Sequence, residues 1–131
     1  MLNQRLENEL NKQINAEFWS AYLYLSMSAF FENKNLAGFA NWMKVQYEEE
    51  NSHALKLFGY VNERGGRVVL QPIAAVDPEW KDVIDIFETT LKHEQHVTSL
   101  INNLIEGKGA GLFMLDRELK QRVFIPIQEN K

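Results

Sequence analysis

The sequence predicts an all-α fold: an up-down bundle of three long helices, a long crossover between the second and third, and a short C-terminal helix. Three observations carry this expectation. Apolar residues recur in steps of three and four over long stretches poor in Gly and Pro, which is the period of one helix face. Those stretches are punctuated at Asn33-Lys34-Asn35 and at Gly65-Gly66. Between Arg67 and Val76 the helical period disappears, and an extended connection from Gly65 to Asp77 reaches roughly 40 Å, the length of a long helix.

The first helix is expected over about 2–34, with Leu6, Leu10, Ile14, Ala21 and Tyr24 on one face and Glu17 in the same stripe. Its second half carries Phe18, Trp19, Tyr22, Leu23, Leu25, Phe30 and Phe31, and is apolar around most of its circumference. A surface helix of a monomer needs one apolar face, so this pattern predicts a homo-oligomer. Asn35 reads as the N-cap of a second helix over about 36–64. There the stripe is Leu36, Ala40, Met43, Tyr47, Glu50, Ala54, Leu57 and Val61. The crossover covers 65–77, and Asp77-Pro78-Glu79 is a start signal for a third helix over about 78–106. Its stripe is Trp80, Ile84, Phe87, Leu91, Glu94, Thr98, Ile101 and Ile105. A Gly-rich turn at 107–111 and a short helix with its tail at 112–131 complete a single domain over 1–131.

Each long helix thus interrupts an apolar stripe with one Glu: Glu17, Glu50 and Glu94. Counted from the breaks at 1.5 Å per residue, the three fall at about one height when the helices fold together. His53 lies one turn from Glu50 on the same face. A lone mid-stripe Glu is commonly a boundary residue. Three at one level would repel unless protonated or bridged by cations, because each buried carboxylate costs several kcal/mol. With no Cys in the chain, any metal must be held by carboxylates and imidazoles, a donor set that suits Fe, Mn or Zn. Such a site in a helix bundle fits two divalent irons with Glu50 between them. Tyr24, seven residues beyond Glu17 on the same face, reads either as a catalytic residue beside the metals or as plain core packing. His93 and His96 fall off the stripe and read as surface residues, and Glu48 and Glu49 as a solvated face.

A net charge of −4 is compatible with cations as partners and disfavours non-specific nucleic-acid binding. The most apolar run, Phe18 to Phe31, is shorter than the roughly 20 residues of a membrane span. Without a signal segment at the start, the expectation is a cytoplasmic protein without membrane or nucleic-acid partners.

The motifs Asn11-Lys12-Gln13-Ile14-Asn15-Ala16-Glu17, Glu48-Glu49-Glu50-Asn51-Ser52-His53-Ala54 and His93-Glu94-Gln95-His96-Val97-Thr98 resemble those of the bacterial non-haem ferritins. So do Ser20 to Leu25, Ile101 to Leu104 and the Gly111 to Leu119 segment. The resemblance implies a ferritin-like bundle assembled into a hollow 24-subunit shell that oxidises Fe(II) with dioxygen and stores ferric mineral. It implies one iron on Glu17, Glu50 and His53 and a second on Glu50 and Glu94, iron being substrate and cargo at once. The departure from the family is internal. Between Ile105 and Gly109 the family carries its whole fourth long helix, with a Gln near the second iron and acidic residues of an accessory site, and this sequence has no counterpart. Two readings follow: a ferroxidase and iron-storage subunit, or a truncated or engineered subunit acting as an assembly module with impaired or no ferroxidase activity, in a smaller or altered assembly.

Overall fold

The computed structural model describes residues 2–106, with side chains described as far as residue 96. The expected Gly-rich turn and short C-terminal helix lie outside the described residues. Those described form three helices, α1 (Gln4–Asn33), α2 (Ala37–Glu63) and α3 (Val83–Glu106).

Local chemistry explains each boundary. Asn3 caps α1 by accepting from the Leu6 N–H at 2.8 Å. At the other end Asn35 does not cap α2. It takes φ 61°, while its N–H donates to the Glu32 carbonyl and that of Leu36 to the Phe31 carbonyl. This pair of bonds is the Schellman closure of α1, and Asn is the side chain that best tolerates the left-handed position after Gly. Gly65, at φ 78°, ends α2 the same way, with Gly66 donating to the Val61 carbonyl. A side chain on Gly66 would press on Leu2, Glu7 and Val61 at 3.0–3.1 Å, so the sharp exit also needs a residue without a Cβ.

The third helix begins at Val83, not near residue 78. Asp82, rather than Asp77, accepts the Asp85 N–H, and Asp85 returns the arrangement by accepting from the Lys81 N–H. That reciprocal cap fixes the start, and Asp77-Pro78-Glu79 stays in the extended crossover.

The crossover lies along α1. Asn11 grips it from both sides, donating to the Arg67 carbonyl and accepting from the Val69 N–H, while Trp19 donates to the Ala75 carbonyl and Ser26 to that of Asp77. It therefore runs from the start of α1 to its end, so α2 and α3 both run antiparallel to α1. The core forms two apolar clusters. Leu6, Leu10, Ile14, Leu57 and Val61 pack at one end, and Leu23, Tyr24, Met27, Phe30, Phe31, Ala40, Met43 and Ile86 at the other.

The phase of α3 differs from the sequence expectation. Among its residues with described side chains Ile86 and Thr90 are buried, whereas Ile84 and Leu91 of the expected stripe are 67% and 62% exposed. This helix packs mainly on α1, and Phe87 reaches across to the rings of Phe39 and Trp42 on α2. Its apolar residues spread over one broad arc, so periodicity alone does not say which part of it the bundle covers. Among the described residues no helix is long and apolar enough to cross a membrane.

Candidate metal centre

Between the two apolar clusters lies a layer of buried polar side chains: Gln13, Glu17 and Ser20 from α1, and Glu50 and His53 from α2. Their positions follow from helix geometry. Steps of three and four from Ile14 and Met43 bring Glu17 and Glu50 onto the face that each helix turns to the other, and His53 rises one turn from Glu50. The surrounding leucines, isoleucine and methionines then exclude water. Glu17 is fully buried, Glu50 is 3% exposed and His53 8%. Oε1 of Glu17 and Nδ1 of His53 are closed off from solvent at the atomic level.

One ligand atom from each of Glu17, Glu50 and His53 lies within 4.8 Å of the other two. Two ligands of one divalent cation, each about 2.1 Å from it, stand at most about 4.2 Å apart, so small side-chain rotations bring the three onto a single ion. The donors are hard oxygens and one imidazole nitrogen, without sulfur, a set matched to Fe(II), Mn(II) or Zn(II). A cation would also offset the cost of two carboxylates enclosed together.

Glu94 stands outside this group. It is half-buried, and its carboxylate accepts a hydrogen bond from the hydroxyl of Tyr24, itself fully buried. The expected residues therefore divide into Glu17, Glu50 and His53 in one cluster, and Tyr24 with Glu94 in a hydrogen-bonded pair.

Two participants escape the sequence reading. Gln13 is 4% exposed and donates from Nε2 to Oε2 of Glu17 at 2.7 Å. Its signal was its place four residues before Glu17 on the same face, which an amide does not advertise. His93, expected at the surface, is half-buried, 2.6 Å from the Ser20 hydroxyl, with its ring against those of Trp19 and Tyr24. Of the expected stripe, Ile84 and Leu91 are exposed while Phe87 and Glu94 are half-buried, so the covered face is turned toward Ile86, Thr90 and His93. Thr98, Ile101 and Ile105 lie outside the residues whose side chains are described. His96 is exposed, as is Glu48, and Glu49 is half-buried.

A buried cluster of two carboxylates and an imidazole, shared by antiparallel helices of a bundle with a long crossover, defines the class of helix-bundle carboxylate metal sites. Comparison with known proteins makes the assignment specific. Residues 7–107 match the ferritin family, described as a ferritin-like domain, and the chain belongs to that family. The bacterial non-heme ferritin of Bacteroides fragilis (strain 638R) is 42% identical over 106 residues, which is 81% of this chain and 67% of that protein. That of Campylobacter jejuni is 40% identical over 106 residues, 81% of this chain and 64% of that protein. The chain thus spans about two thirds of the length of the curated relatives it matches. Among solved structures, an open-pore ferritin from Archaeoglobus fulgidus superposes with a TM-score of 0.86 at 42% identity, covering 95% of this chain and 77% of that one.

Proposed function

We propose that this chain is an iron-storage subunit that binds Fe(II) at Glu17, Glu50 and His53 and oxidises it with dioxygen. The single observation that carries the reading is the enclosure of these ligands within 4.8 Å of one another in the polar layer between the two apolar clusters. Each Fe(II) loses one electron to dioxygen, and the redox chemistry belongs to the metal and the oxidant. The chain's residues do the rest. Glu17 and Glu50 supply negative charge that favours Fe(III) over Fe(II), His53 adds a neutral nitrogen, and Gln13 holds one oxygen of Glu17. Glu94, released from Tyr24, is the ligand placed to serve a second iron with Glu50 between the two, and Tyr24 is the residue next to the reacting ions. The ferric product is stored as mineral in the hollow of a homo-oligomeric shell, built by the family's twenty-four copies or by a smaller or altered set.

The test is the growth of ferric absorbance after Fe(II) is added in air. The expected result is a rate for the native chain at least about tenfold above that of Glu50→Ala, the scale of a lost interaction with a charged group. Equal rates would remove the reading.

One observation favours a second reading, an assembly module with impaired or no ferroxidase activity. Among the described residues the grouped ligands are Glu17, Glu50 and His53, and Glu94, which accepts from Tyr24, is not one of that group. A protein that assembles fully yet oxidises iron no faster than Glu50→Ala would support it.

A further inference from the structure

The tie between α3 and α1 at the level of the site is made by side chains. Oγ1 of Thr90, whose proton goes to the Ile86 carbonyl at 2.9 Å, stands 3.5 Å from Sδ of Met27, Tyr24 donates to Glu94, and Ser20 meets His93. The direction of the Ser20 contact depends on the His93 tautomer, and the Ala16 carbonyl favours one direction. A serine hydroxyl has one proton, and Oγ of Ser20 stands 2.9 Å from the Ala16 carbonyl one turn back. With that proton on the carbonyl, Oγ accepts, and the donor 2.6 Å away is Nε2–H of His93. The imidazole is packed as well as bonded. Its centroid lies 5.3 Å from the ring of Trp19 and 6.0 Å from that of Tyr24, which it meets edge-on.

These contacts bear on the residue that follows. Glu94 is the neighbour of His93 in the chain and accepts the Tyr24 hydroxyl, and Ser20 and Tyr24 sit one turn apart on the helix that carries Glu17. The rotation of α3 about its axis and its height against α1 are therefore set beside Glu94 by a buried serine and a buried tyrosine. On the N-terminal side of this point Leu91 and Ile84 are exposed, and the buried residues of α3 among those described are Thr90 and Ile86.

We propose that His93 is a positioning residue: its Nε2–H bond to Ser20 holds α3 in the register that presents Glu94 to a second cation beside the Glu17, Glu50 and His53 cluster. This rests on the reading of Glu94 as a metal ligand. The site demands such a device, since a ligand misplaced by about 1 Å forfeits a large part of its effect.

Anaerobic titration with Co(II), followed by its visible absorption, tests it on the full chain. The native protein is expected to bind two cations in succession. His93→Leu and Ser20→Ala are each expected to weaken the second by about tenfold, equivalent to about 1.4 kcal/mol, and to leave the first unchanged. His93→Gln, whose amide nitrogen stands where Nε2 does, is expected to restore the second affinity. A general loss of structure in His93→Leu would instead weaken both cations together and lower far-UV helical signal, and that result would overturn the proposal. So would a second affinity indifferent to His93→Leu and Ser20→Ala in a native protein that binds two. A native protein that binds only one Co(II) would remove the reading of Glu94 as a ligand, and the positioning role with it.

Discussion

Glu17 accepts from Gln13 at one oxygen and lies in the cluster with Glu50 and His53. The Gln13 bond is buried, and removing one partner of a buried bond leaves the other unsatisfied at a cost of about 1–3 kcal/mol. Gln13→Leu is therefore expected to lower the stability of the metal-free protein by roughly 2 kcal/mol in urea unfolding, as a shift of midpoint with unchanged slope. Unchanged stability would mean that Glu17 finds an equal partner elsewhere. At this scale the sequence was informative about charge and silent about amides. Glu17 and Glu50 were legible because an acidic residue in an apolar stripe contradicts its surroundings. Gln13 and Ser20 are as deeply buried, yet neither contradicts a helix pattern, and their role follows only from what stands opposite.

At the scale of the element, α1 and α2 were readable because each buries a face around its Glu, and the residues of the expected stripes are buried or half-buried. The third helix was readable as a helix and misread in phase. Ile84 and Leu91 lie exposed at one edge of its apolar arc, whereas Val83, Ile86 and Phe87 pack against the cluster shared with α1, and the part of the arc that packs is chosen by its partners. The ends show the same limit. Both Asn35 and Asp77 belong to residue types that cap helices, but hydrogen bonding made Asn35 the terminator of α1 and gave the cap of α3 to Asp82. Two substitutions test these assignments. Asp82→Ala is expected to cost about 1 kcal/mol and to speed amide exchange in the first turn of α3, whereas Asp77→Ala leaves that turn unchanged. Asn35→Ala is expected to cost about 1 kcal/mol through its left-handed backbone, with Asn35→Gly close to neutral, both read from unfolding midpoints.

For the whole molecule, the bundle leaves large apolar side chains uncovered. Ile84 and Leu91 of α3 face outward, as do Tyr22 and Leu25 of α1 and Leu55 and Phe58 of α2. Faces on all three helices are a poor match to water and a good match to further copies of the same chain. Light scattering is accordingly expected to give a mass that is a multiple of the 15.3 kDa chain, and Tyr22→Lys with Leu25→Lys to shift it toward the single chain. A native protein that is monomeric at all concentrations would exclude the shell.

The account stands on the cluster of Glu17, Glu50 and His53, and anaerobic calorimetric titration with Fe(II) tests it most directly. Saturable binding is expected in the native chain, with the tightest event lost in both Glu50→Ala and His53→Ala while helical signal is retained. Fe(II) binding of equal affinity and stoichiometry in those two variants would contradict it.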